Sequence, residues 1–277
     1  MAVSVKNLDS REFFFGHKAC AGCGGSLAVR IALKVLGARA VAVLPAGCMS
    51  AVGFNFPQLA FSNNALITPF AATASVMTGI EAGLRRRGEI AHVVGFAGDG
   101  GTADIGLQAL SGAIDRGDNL IYICYDNEAY MNTGIQKSGL TPFGARTTTT
   151  PITGSVRRKK DMLAIVAANG AEYAASASVG YLDDYVTKIE KAAAKPGFKY
   201  IHVIAPCPTG WGIKTNETIE IAREAVDVGL WRLREYENGQ WLENCAPSRP
   251  EDLVKHLTRQ GRFSALDTDK LEETKNV

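Results

Sequence analysis

The residues that point most directly to chemistry are Gly98-Asp99-Gly100 and, 28 residues after the aspartate, Asn127. Each follows an apolar run that is typical of a buried strand. Because the carboxyl ends of neighbouring parallel strands meet at one edge of a sheet, a single βαβ unit would place Asp99 and Asn127 side by side. Their oxygen atoms suit Mg²⁺, which usually binds one or two protein groups together with substrate phosphates and water. The two glycines allow the backbone to approach a diphosphate closely.

The same residues also have an ordinary structural interpretation. Glycine, aspartate and asparagine are common in turns and at strand ends, so Gly98-Asp99-Gly100 alone is weak evidence for a site. The interval to Asn127, and the polar Asn132-Thr133-Gly134 that follows it, make a metal and diphosphate site the stronger interpretation.

A second group of candidate residues is a set of four cysteines: Cys20, Cys23, Cys48 and Cys207. Four thiolates can hold an iron–sulfur cluster or a structural zinc ion, and a lone CxxC can be a redox dithiol. Zinc usually needs a second closely spaced pair, and a dithiol leaves Cys48 and Cys207 unexplained. Because each of these two follows a predicted strand in a loop flanked by glycine or proline, the pattern favours the cluster.

Several other polar or reactive residues are interpreted as structural. Cys124, inside an apolar strand, and Cys245, in the tail, are not expected to be ligands. His17 precedes the CxxC and is equally compatible with a structural role and with a hydrogen bond to a cluster or a diphosphate. The basic run at residues 157–160 is interpreted as a solvated loop, although a positive patch can also attract phosphate groups or an acidic protein.

The composition is that of an ordinary globular protein, with 277 residues of which 46% are hydrophobic and 21% charged. The net charge of +2 gives no basic field, so a nucleic-acid partner is not expected. No uncharged apolar stretch reaches the length of a transmembrane helix, and residues 1–16 lack the apolar core of a secretory signal. We therefore expect a cytoplasmic protein without a membrane association, whose cysteines are reduced, metal-bound or buried.

Apolar periodicity predicts an alternation of strands and helices along most of the chain. Strands are predicted at residues 40–45, 91–97, 120–126, 172–176 and 199–205. Helices are predicted at residues 26–36, 71–87, 103–116, 161–169, 181–194 and 217–234. Such an alternation predicts an α/β fold with a mostly parallel sheet and helices on both faces.

Two parts of the chain depart from this alternation. Residues 127–160 form a polar segment without a periodic apolar face, and a loop of this length is usually functional. Residues 212–277 become charged and irregular after one helical stretch. We therefore assign residues 1–211 to one domain, and residues 212–277 to a carboxyl-terminal extension that packs on this domain or on a partner subunit.

Taken together, the motifs resemble those of one protein family. They are His17-Lys18-Ala19-Cys20-Ala21-Gly22-Cys23-Gly24, Gly47-Cys48, Gly98-Asp99-Gly100, Asp126-Asn127-Glu128-Ala129-Tyr130-Met131-Asn132-Thr133-Gly134 and Ala205-Pro206-Cys207-Pro208-Thr209-Gly210-Trp211. The chain resembles the thiamine-diphosphate-binding β subunit of the 2-oxoacid:ferredoxin oxidoreductases, in particular the pyruvate branch. The resemblance covers the chain from the amino-terminal arm to just beyond Trp211.

The resemblance implies the thiamine-diphosphate-binding fold, with thiamine diphosphate, Mg²⁺ and one 4Fe-4S cluster as cofactors. It implies that Mg²⁺ is bound by the side chains of Asp99 and Asn127 and by the main-chain oxygen of Ala129. The implied cluster ligands are Cys20, Cys23, Cys48 and Cys207. Asn132 matches a position that contacts the coenzyme or the substrate, and it is the candidate catalytic residue. The other residues expected to face the coenzyme are Gly47, Cys48, Met49, Ser50, Gly98 and Gly100.

The implied reaction is the oxidative decarboxylation of a 2-oxoacid, with pyruvate as the expected substrate. Its products are CO₂ and an acyl group on coenzyme A, and its electrons pass through the cluster to ferredoxin. The resemblance also implies partner chains: an α subunit that supplies the glutamate activating the coenzyme, a γ subunit and a ferredoxin-like δ subunit. The sequence has no CxxCxxC run, in agreement with a separate ferredoxin-like chain. We therefore expect the chain to be inactive alone.

The sequence leaves three alternatives open. The same scaffold can act on another 2-oxoacid, such as oxalate, phenylglyoxylate, indolepyruvate or a branched-chain acid. A non-redox thiamine diphosphate decarboxylase would use Asp99 and Asn127 but would have no role for four thiols. A structural module that is stabilised by zinc would use the thiols as zinc ligands and would leave the Asp99 and Asn127 pair without a function.

Overall fold

The computed structural model describes residues 4–266, and its largest element is one eight-stranded sheet. The strands of the chain are β1 (Ala40–Pro45), β2 (Phe54–Asn55), β3 (Gln58–Leu59), β4 (Asn64–Thr68), β5 (His92–Gly98), β6 (Leu120–Asp126), β7 (Tyr173–Ser178), β8 (Phe198–Ile204), β9 (Arg234–Glu237) and β10 (Gln240–Glu243). The helices are α1 (Gly24–Leu36), α2 (Cys48–Gly53), α3 (Thr73–Arg87), α4 (Asp99–Ala103), α5 (Leu107–Asp115), α6 (Met162–Ala168), α7 (Leu182–Ala194), α8 (Pro208–Trp211), α9 (Thr218–Asp227) and α10 (Leu253–Thr258). Short 3₁₀ turns lie at Val5–Asn7, Gly37–Arg39, Pro250–Asp252 and Gly261–Phe263.

The main sheet has the strand order β10-β9-β7-β8-β6-β5-β1-β4, and β2 and β3 form a separate hairpin. The pairs from β7 across to β4 are parallel, whereas β9 is antiparallel to β7 and β10 is antiparallel to β9. Helices α1 and α7 pack on one face of the sheet, and α3, α5 and α6 pack on the other. The predicted α/β architecture, a mostly parallel sheet with helices on both faces, is confirmed.

Four adjacent strands, β8, β6, β5 and β1, bring the candidate residues to one edge of the sheet. Gly98 at the end of β5 pairs with Tyr125 in β6. Asp126 at the end of β6 pairs with Ile204 in β8. Every residue of β6 and β8 is buried, as is usual for parallel strands that are covered on both faces. The loops after these strands therefore leave the sheet at one edge, and they carry Cys48, Asp99, Asn127 and Cys207.

Most predicted elements are present with end points shifted by no more than two residues, and β1 and β6 have the predicted bounds. The single helix predicted at residues 103–116 is wrong in its first part. Helix α4 starts at Asp99, and α5 starts only at Leu107. Gly106 lies between them, where a Cβ atom would be 2.0 Å from the carbonyl oxygen of Gly101. This close approach of two backbone segments breaks the helix and requires glycine.

The helix predicted at residues 217–234 is also wrong at its end. Helix α9 ends at Asp227, and Gly229 turns the chain with a backbone φ of +80°. Arg234 then begins β9, which extends the sheet beyond β7. The indole nitrogen of Trp231 donates a hydrogen bond to the carbonyl oxygen of Ala177 at 2.9 Å. The described part of the extension therefore packs directly on strands that precede it in the chain.

Some expectations from the sequence reach beyond the described residues. Residues 1–3 of the predicted domain and residues 267–277 of the predicted extension lie outside them. Among residues 4–266, no helix combines the length and the apolar character that a membrane crossing requires.

Candidate functional site

A pocket of about 280 Å³ opens at the carboxyl ends of β1, β5 and β6. Such an edge is where open α/β sheets usually bind their ligands. The pocket is lined by Pro45, Ala46, Gly47, Cys48, Phe70, Gly98, Asp99, Gly100, Gly101, Tyr125, Asn127, Ala129, Tyr130, Met131, Asn132 and Thr133. The lining includes most of the residues that the sequence singles out around Asp99 and Asn127.

Asp99 is a buried carboxylic acid at the base of this pocket. It is the first residue of α4, and the hydroxyl group of Ser138 donates a hydrogen bond to it. Burial, followed by the negative charge of Asp126, raises the pKa of Asp99 well above its usual value. A cation bound to this carboxylate would stabilise its charged form.

Asp99, Asn127 and Ala129 bring three oxygen-bearing groups together. The amide atom of Asn127 that faces the pocket lies 2.9 Å from the carbonyl oxygen of Ala129 and 3.2 Å from Oδ1 of Asp99. Glu128, between the two, has a left-handed backbone with φ of +68°. This unusual conformation for a residue other than glycine turns the Asn127 side chain and the Ala129 carbonyl toward the same point.

The chemistry of these three groups fits a hard cation. With its carbonyl oxygen toward the pocket, Asn127 faces only hydrogen-bond acceptors. A cation between the three oxygen atoms removes this repulsion, and carboxylate, amide and main-chain oxygen atoms are the ligands that Mg²⁺ prefers. The other solution is a rotated amide whose NH₂ group donates to both neighbours, and it uses no cation.

Buried charges hold the Asn127–Ala129 turn from behind. The Glu128 carboxylate forms ion pairs of 2.5 Å with Lys159 and with Arg262. The Glu128 carbonyl accepts a hydrogen bond of 2.7 Å from the hydroxyl group of Thr141. Lys159 also lies 2.7 Å from Asp126. The interpretation of the basic run 157–160 as a solvated loop is therefore wrong for Lys159, which is an internal counter-ion.

Asp126 is a further charged residue next to the Asn127–Ala129 turn. Its carboxylate accepts a hydrogen bond of 2.9 Å from the N–H group of Glu128 and lies 2.9 Å from Nε2 of His202. Burial raises the pKa of Asp126, but the charge of Lys159 and the hydrogen bond with His202 outweigh burial and lower it to about 2. Asp126 therefore remains ionised while it fixes the Glu128 backbone.

Aromatic side chains form one wall of the pocket. The ring of Tyr130 lies against Gly100, where a Cβ atom would be 2.1 Å from the ring, so the glycine makes room for the tyrosine. The hydroxyl group of Tyr130 donates a hydrogen bond of 2.9 Å to Asp104. Phe70 packs edge-on against Tyr130, with 6.0 Å between the ring centroids. Asn132 lies at the exposed mouth of the pocket.

Four consecutive residues, 47–50, were predicted to face the coenzyme, and only the first two of them line the pocket. Gly47 and Cys48 line the pocket. Met49 and Ser50 lie behind it, because Met49 is buried in the core and the Ser50 hydroxyl group bonds to the backbone of Gly47. Met49 and Ser50 therefore shape the loop without forming part of the pocket lining.

Three of the four predicted thiols lie at the starts of helices. Cys23 precedes α1, and its Sγ accepts a hydrogen bond of 3.4 Å from the N–H group of Ser26. Cys207 precedes α8, and its Sγ accepts a hydrogen bond of 3.4 Å from the N–H group of Gly210. Cys48 is the first residue of α2. Amide donors at helix starts stabilise thiolates, which are the form that binds metal.

A main-chain contact joins two of the loops that carry these thiols. The N–H group of Gly24 donates a hydrogen bond of 3.1 Å to the carbonyl oxygen of Pro206. A Cβ atom on Gly24 would lie 2.7 Å from the carbonyl carbon of Ala205, so the two backbones approach as closely as they can. The CxxC loop is thereby held against the loop of Cys207.

Burial and the other thiols both disfavour the ionised form of Cys48. Burial, followed by the charges of Cys23 and Cys207, raises the pKa of Cys48 to about 12, and Cys20 adds to this shift. Within residues 4–266, no group of three or more His, Cys, Asp or Glu side chains is close enough to hold a single metal ion. Residues 4–266 therefore show no preformed site for a tetrahedral zinc ion. A four-iron cluster places its cysteine ligands around a larger body of iron and sulfide.

Comparison with known proteins decides the family. Residues 45–203 match the family described as thiamine pyrophosphate enzyme, C-terminal TPP binding domain. The chain is 48% identical to the pyruvate synthase subunit PorB of Methanothermobacter marburgensis, over 256 residues that cover 91% of this chain and 89% of that protein. The chain belongs to the β subunits of the 2-oxoacid:ferredoxin oxidoreductases. The resemblance found from the motifs alone is confirmed.

Other proteins similar to this β subunit carry different substrate names. The ketoisovalerate oxidoreductase subunit VorB of Pyrococcus horikoshii is 47% identical, with 94% of this chain and 88% of that protein covered. A solved structure of the 2-oxoglutarate:ferredoxin oxidoreductase from Magnetococcus marinus has a TM-score of 0.63 and 21% identity. The alignment covers 96% of this chain and 97% of that one, and it shows a common fold.

Sequence reasoning missed several residues that shape the site of this β subunit. Ser138 bonds to Asp99, and Tyr130 and Phe70 form a wall, although Tyr130 lies inside a motif that the sequence analysis quoted. Lys159 lies in the basic run that was noticed, but its ion pairs with Asp126 and Glu128 were not foreseen. Nothing in the sequence pattern pointed to Arg262, which lies far along the chain from its partner Glu128.

The contact at Gly24 gives a prediction about this β subunit. Gly24→Ala should lower the free energy of unfolding by about 1–3 kcal/mol, because the added methyl group meets a backbone that cannot move cheaply. Gly79→Ala in α3 is the matched control, since no heavy atom lies within 4 Å of its Cβ position. The control should be neutral or stabilising by up to about 1 kcal/mol. Equal unfolding free energies of the two variants in a denaturant titration would contradict the assigned contact.

Proposed function

We propose that this β subunit serves in a complex that oxidatively decarboxylates pyruvate, passes the electrons to ferredoxin and transfers the acyl group to coenzyme A. The observation that carries the proposal is the convergence of Asp99, Asn127 and Ala129 in a pocket whose lining also includes Cys48. Similarity to a pyruvate synthase subunit over most of both chains supports the choice of substrate.

In this proposal the pocket binds thiamine diphosphate through Mg²⁺. The Asp99 carboxylate, the Asn127 amide oxygen and the Ala129 carbonyl would hold the cation, whose charge would favour binding of the diphosphate. Helix α4 begins at Asp99 directly after Gly98, so its first turn lies at the pocket, where N–H groups of a helix start can donate to phosphate oxygen atoms. When bound, thiamine diphosphate supplies the carbon nucleophile and stores the electron pair that remains after CO₂ leaves.

The remaining lining residues orient the reactants. Tyr130 and Phe70 exclude water from one wall, and Gly47 lets the opposite wall approach the coenzyme. Asn132 at the mouth presents an amide group that can donate to the carboxylate or the carbonyl oxygen of a 2-oxoacid. Met49 and Ser50 support this arrangement by fixing the backbone of Gly47.

Cys20, Cys23, Cys48 and Cys207 are the proposed ligands of one 4Fe-4S cluster. Cys48 also lines the coenzyme pocket, so the cluster would lie directly beside the coenzyme. Cys20 is exposed and borders a second, open pocket of about 410 Å³. The proposed cluster would therefore receive electrons on its inner side and release them at the protein surface.

The proposal requires partner chains. Among the described residues that line the coenzyme pocket, Asp99 is the one carboxylate, and it is assigned to the cation. The glutamate that activates the aminopyrimidine must then come from another chain, which we assign to the α subunit. A γ subunit and a ferredoxin-like δ subunit would complete the complex, which would exchange electrons with ferredoxin.

A branched-chain 2-oxoacid is the second candidate substrate. It is favoured by the similarity to the ketoisovalerate oxidoreductase subunit. That protein is 47% identical to this chain, and the pyruvate synthase subunit is 48% identical. Pyruvate is preferred because the matching pyruvate synthase subunits come from several genera, whereas the ketoisovalerate oxidoreductase subunits compared come from Pyrococcus.

The cation site predicts the effect of removing its carboxylate. Asp99→Ala should weaken the Mg²⁺-dependent binding of thiamine diphosphate by about a hundredfold or more, because one of three protein ligands is lost. Calorimetric titration of the assembled complex with coenzyme and Mg²⁺ measures this change. Asp115→Ala, at the exposed end of α5, is the control and should bind as the natural chain does. Undiminished affinity in Asp99→Ala would refute the assigned site.

The thiol cluster predicts the iron content of the chain. Prepared without oxygen and reconstituted, the chain should be brown and contain about four irons. Cys207→Ser should lose most of this iron, because one corner of the cluster is left without its thiolate. Cys245→Ser should retain it, since Cys245 lies in the exposed tail. A colourless chain that carries zinc would contradict the proposal.

The substrate assignment is tested by kinetics on the complete complex. With a viologen as electron acceptor, pyruvate should have a kcat/KM at least about tenfold higher than the branched-chain 3-methyl-2-oxobutanoate. The chain alone should show no turnover with either acid. A preference for the branched-chain acid would assign the chain to the second candidate activity, and turnover without any partner would overturn the proposed division among subunits.

A further inference from the structure

Arg262 is a buried cation behind the turn that carries Asn127 and Ala129. Its Nη1 lies 2.5 Å from Oε2 of Glu128, and the two side chains are only 3% and 5% exposed. Its Nε donates a hydrogen bond of 2.9 Å to Oε1 of Gln260. A surface arginine would contribute little through such a pair, but a buried pair fixes the position of both partners strongly.

The guanidinium plane of Arg262 also packs on an aromatic ring that touches the same turn. Its central carbon lies 3.5 Å from the centroid of the Trp211 ring system. The indole N–H group of Trp211 donates a hydrogen bond of 2.8 Å to the carbonyl oxygen of Asn127. Arg262 therefore acts on Asn127 through the tryptophan and on Glu128 through the ion pair.

The backbone of the segment around Arg262 is anchored to the rest of the fold. The carbonyl oxygen of Arg262 accepts a hydrogen bond of 2.7 Å from the N–H group of Arg146. The neighbouring Gly261 donates through its N–H group to the carbonyl oxygen of Gly212 at 3.3 Å. The backbone that carries the Arg262 side chain is thus held by hydrogen bonds at two neighbouring residues.

The turn needs this support because its conformation is unfavourable by itself. Glu128 has φ of +68°, a region that costs a residue with a side chain about 1–3 kcal/mol. If the turn relaxed, the Asn127 amide and the Ala129 carbonyl would no longer point to the same place. Mg²⁺ requires nearly ideal octahedral geometry, so a small displacement of one oxygen atom weakens its binding.

We propose that Arg262 is a positioning residue for the cation site: by pairing with Glu128 and stacking on Trp211, it holds the Asn127 and Ala129 oxygen atoms at the separation that Mg²⁺ requires. The proposal rests on the proposed function of this pocket as a Mg²⁺ and thiamine diphosphate site. It adds a role in metal selectivity for a residue of the carboxyl-terminal extension, outside the motif that supplies the ligands.

The test compares metal binding by four forms of the assembled complex after its metal has been removed with a chelator. They carry the natural β subunit, Arg262→Met, Arg262→Lys and the control Arg249→Met. The control removes another arginine of the extension, one that pairs with Asp227 at 2.6 Å away from the turn. The measurements are the apparent affinities for Mg²⁺ and Ca²⁺ at saturating thiamine diphosphate, and the thermal midpoint of unfolding.

Arg262→Met should weaken Mg²⁺ binding by about tenfold or more, as is usual when a residue that orients a ligand is lost. Ca²⁺ tolerates variable geometry and should be affected less, so the preference for Mg²⁺ over Ca²⁺ should fall. Arg262→Lys keeps the charge but loses the planar stack on Trp211, and it should give an intermediate preference. Arg249→Met should change neither affinity, even if it lowers the thermal midpoint.

Two results would overturn the proposal. If both Arg262 variants keep the natural Mg²⁺ affinity and the natural preference over Ca²⁺, Arg262 is only a structural counter-ion. If Arg262→Met does not assemble, Arg262→Lys decides, and a natural metal preference in that variant has the same meaning. Failure of the underlying site is recognised separately, because Asp99→Ala would then bind Mg²⁺ and coenzyme as well as the natural chain.

Discussion

Four parallel strands end at the same edge of the sheet. Their end points set the position of every candidate ligand other than Cys20 and Cys23. Strands β8, β6, β5 and β1 are neighbours in register, so their following loops emerge together. Asp99 and Asn127 follow the two middle strands, and Cys207 and Cys48 follow the outer two. A shift of one residue in any of these pairings would move a ligand by about 3.3 Å along the strand and turn its side chain to the other face. Sheet register is therefore the constraint on which both proposed cofactor sites depend.

A layer of buried charge below this edge fixes the finer geometry. Asp126 and Glu128 are negative, Lys159 and Arg262 are positive, and Lys159 lies 4.7 Å from the centroid of the Trp231 ring. Buried ions of this kind contribute little net stability, because the loss of hydration offsets their attraction. Their effect here is on conformation and not on stability. They define one conformation for the Glu128 backbone, whose left-handed turn a layer of apolar residues would not specify.

The features that could be predicted from the sequence are those encoded by local pattern. The buried strands β1 and β6 are continuous apolar runs, and the polar residues after β5 and β6 pointed to the pocket that lies at their carboxyl ends. The features that could not be predicted depend on contacts between distant residues. The break before α5 results from the approach of Gly106 to Gly101, and β9 is a short strand of mostly polar residues. In the sequence, Arg262 cannot be distinguished from the other charged residues of the carboxyl-terminal extension. Only the fold shows that it is buried against Glu128.

The position of Arg262 in the chain has a consequence for biosynthesis. A ribosome makes β5, β6 and their loops long before it reaches the residue that neutralises Glu128. During that interval Glu128 has Lys159 as its one basic partner among the described residues already made, and the turn lacks its stacked tryptophan and arginine pair. The turn proposed to bind the cation therefore reaches the arrangement described here only after Arg262 has been synthesised.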